Sequence, residues 1–306
     1  MKLRFSSRMQ IPAAMSSTEA RDAPRDWLHR IAAVAVVVVL VIVASSAYLR
    51  QASVRLNCPD WPACALQVTG EDPARTQPAA ERAARLVHRL SASIAGALIL
   101  LIAYLSSVQQ PRVQSDIVLS AALVALTIFL AVLGRWSRTS QAPLVTLGNL
   151  LGGMTLLALL HWMRLRTAPA QASAEGTGRL APVAGAALAL ALAGVALGAL
   201  GSGSHAVPAV RAGSGELLAS AHLLSGVLVL LLTGTLALHP GARGSGRSAG
   251  VAAFTLAVAQ AMTGWVSTTF DYPLAAALIH NLLAALLLIA LVTAAYRYAG
   301  SSRAHH

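Results

Sequence analysis

The sequence predicts an all-α integral membrane protein, with eight transmembrane helices arranged as two pseudo-repeated four-helix bundles. Three observations lead there. Of 306 residues, 56% are apolar and only 11% charged, whereas soluble domains carry about a quarter charged residues. Eight apolar stretches approach the roughly 20 residues needed to cross a hydrocarbon core, and mean hydropathy is +0.65. The two halves of the chain also repeat one motif. These features exclude a large water-soluble enzyme, a disordered chain and a disulfide scaffold, since two cysteines make one bridge at most.

The spans fall at 31–48, 86–105, 117–134, 144–163, 180–200, 217–238, 250–269 and 274–296. Unbroken apolarity over such lengths specifies helix, and nothing alternates with the period of a barrel strand. Breakers or charges separate the spans: Gln109-Gln110-Pro111-Arg112, the segment 167–179, the segment 201–215, and His239-Pro240-Gly241. The shortest separator is Phe270-Asp271-Tyr272-Pro273. The first span follows a polar, basic tail and reads as a retained anchor, with cleavage near 44–47 as the alternative. The organisation expected is a tail at 1–30, a bundle at 31–166 with an outer loop at 49–85, and a linker at 167–179. A second bundle at 180–298 and a tail at 299–306 complete it.

The net charge of +12 and pI near 11.3 do not indicate nucleic acid as a partner. The basic residues cluster between apolar runs, which is a topology signal. Placing both termini in the cytoplasm puts fourteen of the 23 Lys and Arg residues inside. Six of the other nine lie between Arg50 and Arg89. The expected location is a bacterial-type inner membrane, multi-pass, with the Cys58 and Cys64 loop periplasmic. In CPDWPAC (58–64) five residues separate the thiols. A disulfide is the default outside the cytoplasm; free or metal-bound thiols are the alternative, with no nearby His to complete a zinc set.

The internal repeat aligns GRWSRTSQAP (134–143) and GNLLGG (148–153) with GWVSTTFDYP (264–273) and HNLLAA (280–285). His88, His222 and His280 each lie early in a span that enters from the outside, so they share a depth. One turn deeper stand Ala92, Gly226 and Ala284, small enough to admit a flat ligand or close helix packing. An imidazole in a bilayer requires a hydrogen bond or a metal. Histidines from facing helices of a bundle hold haem iron from both sides, the reading adopted for His222 and His280. The alternative is hydrogen bonding to groups such as Ser225 or Gln260.

The repeat partner of His280 is Gly148 or Asn149, neither an iron ligand. His161 lies 13 residues beyond Gly148, roughly 20 Å deeper, and reads as a structural, snorkelling residue beside Trp162 and Arg164. His29, His205, His239, His305 and His306 read as solvated.

Together these blocks resemble the haem A synthase family of cytochrome oxidase assembly. They are the Cys-Pro-Asp-Trp-Pro motif at 58–62, His88-Arg89, His222, Gly264-Trp-Val-Ser, and Pro273 through His280-Asn281-Leu-Leu-Ala-Ala. The likeness extends from the first span to the eighth. It implies a membrane oxidoreductase that converts a porphyrin methyl of haem O to a formyl group, making haem A. It implies haem b in the C-terminal bundle on His222 and His280, and His88 as a ligand or catalytic residue in the substrate half. It also implies a Cys58–Cys64 disulfide. Implied partners are haem O or a haem O synthase, an electron donor, oxidase assembly factors and the lipid bilayer; a homo-oligomer is compatible.

Two departures stand against catalysis. The family glutamate three residues before the span-two histidine is Arg85 here, and the span-four histidine is absent. Glu81, seven residues before His88 and roughly 10 Å away on a helix, is either a displaced substitute or a charged loop residue. Arg85 and Arg89 suit haem propionates, since guanidinium pairs with carboxylate bidentately. Arg135 and Arg138 suit them too, or lipid head groups. The competing functions are a non-catalytic haem-b-binding relative, acting in oxidase assembly, haem handling or electron transfer, and an unrelated eight-span transporter.

Overall fold

The structure, a computed structural model, describes residues 17–56, 79–136, 143–169, 178–204, 215–270 and 273–303. Its long helices are α1 (Ser17–Leu56), α2 (Ala79–Val108), α3 (Gln114–Trp136) and α4 (Pro143–Thr167). They continue as α5 (Ala181–Ser204), α6 (Glu216–Leu238), α7 (Gly244–Thr269) and α8 (Leu274–Arg303). A 3-10 turn, Gly178–Leu180, precedes α5. Among the described residues there is no strand, and all eight helices are long and apolar enough to cross a membrane. With eight consecutive helices, the start of α1 and the end of α8 lie on one face of the molecule, called here the terminal face.

Lipid offers no partner for backbone N–H and C=O groups, so each segment satisfies its own as helix. Helices stop where the sequence removes a donor or frees the backbone. After α6, His239 is extended and its backbone N–H donates to Thr235 O. The Ala242 N–H then donates to His239 O at 2.9 Å, and Gly244 takes φ +54° to enter α7. That conformation disfavours a side chain. After α7, the Phe270 N–H closes onto Val266 O, and Pro273 opens α8.

In each half of the chain, every helix packs on the next and the last on the first: α1–α2–α3–α4 and α5–α6–α7–α8. Across the halves, α8 lies against α1 and α4, and α4 against α5. The first bundle is filled by large side chains, among them Leu28, Ile99, Ile102, Leu123, Leu157 and Met163. The second is filled largely by alanine, including Ala184, Ala187, Ala253 and Ala294, around Leu291 and Tyr298. Without a hydrophobic drive between helices in lipid, small residues let backbones approach and gain dispersion contacts. Residues such as Leu100, Ile128 and Leu231 are exposed outward, where they meet acyl chains.

Charge is concentrated where α1, α3 and α4 meet at the terminal face. Asp116 is fully buried and accepts from Arg166 at 2.9 Å; Arg166 also donates to Ser115. The backbone O of Arg166 accepts from Arg25 at 3.0 Å. His29, expected to be solvated, donates from Nδ1 to Arg164 O at 2.9 Å, so it ties α1 to α4. His205, His305, His306 and Arg138 lie outside the described residues, as do Cys58 and Cys64.

Candidate functional site

Two imidazoles face one another between α6 and α8. The rings of His222 and His280 have centroids 6.3 Å apart and planes inclined by 60°. Metal–imidazole bonds of about 2.0 Å, plus roughly 1.1 Å from each nitrogen to its ring centre, place two rings on one metal about 6 Å apart. The separation therefore matches two imidazoles sharing one metal ion.

The surroundings settle which nitrogen is available. His222 Nδ1 lies 2.8 Å from Gly194 O; a carbonyl only accepts, so Nδ1 carries the proton and Nε2 keeps its lone pair. This is the arrangement of a metal-ligating histidine oriented by a backbone carbonyl. His280 Nδ1 lies 3.2 Å from Thr263 Oγ1, whose hydroxyl donates to the backbone carbonyls of Ala259 at 3.1 Å and Gln260 at 3.0 Å. His280 Nδ1–H thus donates to Thr263, and Nε2 accepts from the Gln260 amide at 3.0 Å. The hydrogen-bonding alternative raised by the sequence is therefore present at His280, on the same lone pair that a metal would use. Gln260 Oε1 is buried without a hydrogen bond, which makes that side-chain amide a poorly satisfied occupant of the position. Ser225 is no partner for the His222 ring; its hydroxyl donates to the backbone O of His222 at 2.7 Å.

Glycines make room for these rings. A Cβ on Gly198 would stand 3.0 Å from His222 Cε1, one on Gly194 2.9 Å from Ser225 Oγ, and one on Gly264 3.4 Å from His280 Cε1. A Cβ on Gly226 would meet nothing within 4 Å, so the turn below His222 is open. Taken together, the protonated Nδ1 atoms, the ring spacing and the open turn fit a porphyrin iron. Sequence reading missed Gly194, Gly198 and Thr263; the signal for the first two was the Gly-x-x-x-Gly spacing in span five.

The other half differs. His88 Nδ1 is 3.4 Å from Ser45 Oγ of α1, and Ser45 donates to Val41 O at 2.8 Å. No second histidine faces it among the described residues. At the repeat position on α4, a Cβ on Gly148 would touch Leu133 Cδ1 at 3.0 Å, so an apolar side chain closes that side. Glu81 is not a loop residue: it sits in the first turn of α2, is 5% exposed, and pairs with Arg85. The Arg85 charge expected for propionates is thereby engaged, while Arg89 and Arg135 are exposed.

Arg50, near the end of α1 away from the terminal face, links the halves. It donates to Ser46 Oγ at 2.8 Å and to Asn281 Oδ1 at 3.3 Å, next to His280. His161 does not snorkel. It is 2% exposed, and Nε2 lies 2.8 Å from Thr293 Oγ1 of α8; Thr293 donates to Ile289 O, so the imidazole N–H is the donor. The Trp162 ring meets Tyr296 edge-on at 5.2 Å beside it. His239 Nδ1 accepts from the Gly241 N–H at 3.0 Å, serving the turn after α6.

The family model for the cytochrome oxidase assembly protein COX15-CtaA matches residues 29–292, nearly all of the described fold. The chain belongs to this family. It is also similar to the heme A synthase of Shewanella oneidensis, with 31% identity over 201 residues, 61% of this chain. That alignment spans 59% of the relative's length. The family match covers all eight spans and both halves, so the site between α6 and α8 and the region around His88 belong to one family architecture.

Proposed function

We propose that this protein is a haem A synthase-type membrane oxidoreductase, acting in haem A biosynthesis for cytochrome c oxidase. The observation that carries the reading is the facing pair His222 and His280, at the spacing of two ligands to one iron. Haem b would be held there, and bis-imidazole iron supplies one-electron redox chemistry. Gly194 O and Thr263 Oγ1 hold the two rings in the tautomer that presents Nε2. Gly198 and Gly226 give the macrocycle its space. Gln260 would give up its hydrogen bond to His280 Nε2 if that nitrogen held the iron.

The substrate, haem O, would lie in the first bundle beside His88. Converting its methyl to a formyl group with dioxygen as oxidant takes two hydroxylations, each consuming one dioxygen, two electrons and two protons and releasing one water. The geminal diol then loses water, and the electrons come from a donor outside this chain. The His88 ring lies against α1, with Nδ1 3.4 Å from Ser45 Oγ. Glu81, buried beside Arg85, is the carboxylate nearest in sequence to the family position. The active orientation puts both termini in the cytoplasm and the outer loop, with a Cys58–Cys64 disulfide, in the periplasm.

A second reading is favoured by specific observations: Leu133 packs against Gly148, the repeat counterpart of His280, and Arg85 replaces the family carboxylate. On that reading the chain holds haem b alone and serves oxidase assembly, haem handling or electron transfer. Co-expression with a haem O synthase in a host lacking haem A separates the two. Chromatography of extracted haems should show a formyl haem; haem b as the sole haem in a purified, haem-replete protein would establish the second reading.

A further inference from the structure

A groove of about 490 Å³ runs between α7 and α8 on the terminal face, away from His222 and His280. Its lining is zoned. Ser245, Ser248 and Arg297 surround the mouth, Thr293 lies part-way, and Leu256 and Leu286 lie at the deep end. The helices are antiparallel, and their register is set by Gly246 against the Tyr298 ring, where an added Cβ would stand 2.9 Å from Cε1. From Ser245 to Leu256, and from Arg297 to Leu286, the chain advances eleven residues, about 16 Å of helix. That is half of the roughly 30 Å hydrocarbon core. The groove is therefore one leaflet deep, polar at the membrane surface and apolar below.

Charge at the mouth points to an anion. Besides Arg297, the exposed Arg243 and Arg247 flank the start of α7. No side chain caps that helix, so its first N–H groups and positive dipole end face the same place. Ser248 and Ala252 are exposed, which leaves the groove open sideways to lipid.

We propose that this groove is a binding site for an anionic phospholipid of the leaflet on the terminal face. The phosphate sits on Arg297, Ser245 and the α7 N-terminus, and one acyl chain lies along Ala252, Leu256 and Leu286. Guanidinium pairs bidentately with phosphate, and basic pockets between membrane helices select anionic head groups. The site is independent of the proposed haem chemistry.

The test uses the full chain in mild detergent. Native mass spectrometry follows titration with phosphatidylglycerol or phosphatidylcholine bearing identical chains. Wild type should retain one phosphatidylglycerol about tenfold more tightly than phosphatidylcholine. Arg297→Gln should abolish that preference. Ala252→Leu, which fills an exposed part of the groove without touching the core, should weaken retention of both lipids while melting temperature is unchanged. Equal retention of the two lipids by wild type, or no effect of Ala252→Leu, would overturn the proposal. Displacement by farnesol but not by added phosphatidylglycerol would also overturn it, assigning the groove to a prenyl chain instead.

Discussion

Single residues decide what the site can bind. His222 and His280 were visible in the sequence as histidines at one depth, but their tautomers were not, because these depend on Gly194 O and Thr263 Oγ1 from other helices. An imidazole whose Nδ1–H is spent on a carbonyl is committed to offering Nε2. His222→Ala or His280→Ala should each eliminate the low-spin bis-histidine optical spectrum of the purified protein. A full low-spin spectrum in either variant would exclude that pair as ligands. Gly198 was not legible as a site residue, since a glycine in an apolar run looks like ordinary helix packing. Its role lies in the 3.0 Å that a Cβ would leave to the His222 ring, and Gly198→Leu should lower haem content several-fold in protein that still folds.

Helices pair according to how closely their backbones approach. Along α7, Gly250 is the tightest case: a Cβ there would lie 2.7 Å from Leu236 O, a backbone atom of α6 that cannot swing aside. Gly250→Leu should therefore separate α6 from α7 and cost about 1–3 kcal/mol, read as a shift in denaturation in mixed micelles. Gly96, where a Cβ meets nothing within 4 Å, is the matched control; Gly96→Ala should be neutral or gain up to about 1 kcal/mol through helix propensity. Equal losses at both positions would refute the close-approach account. All eight helices were legible from apolarity and breakers, because lipid leaves an apolar run no alternative to helix. Their true lengths were less so: α1 begins at Ser17, well before the apolar stretch, and Arg25 and His29 find partners on α4.

The whole molecule is two rings of four helices joined along α8. The joint has one tie far from the terminal face, Arg50 to Asn281, and one near it, His161 to Thr293 with Trp162 against Tyr296. His161 read as a snorkelling residue because its span neighbours a basic interface; the structure buries it because α4 faces the other bundle there and not lipid. Interhelical hydrogen bonds in membranes average about 0.6 kcal/mol and reach about 1.7. His161→Ala should lower thermal stability by that order while leaving haem content and the optical spectrum intact. In a double-mutant cycle with Thr293→Val the two losses should be non-additive; haem loss in His161→Ala, or strict additivity, would show that the residue acts elsewhere.

The sequence by itself determined the class, the count of spans, the repeat and the family resemblance. Each of these follows from hydropathy, breakers and local order along the chain, which lipid reads directly. Only the tertiary structure decided that the His222 and His280 rings stand 6.3 Å apart while no second histidine faces His88 among the described residues. It likewise buried Glu81 against Arg85 and opened a leaflet-deep groove beside Arg297. Those outcomes depend on helix rotation and on which small residues let two backbones meet. Abundant alanine and glycine in every span make that choice nearly invisible until the helices are packed.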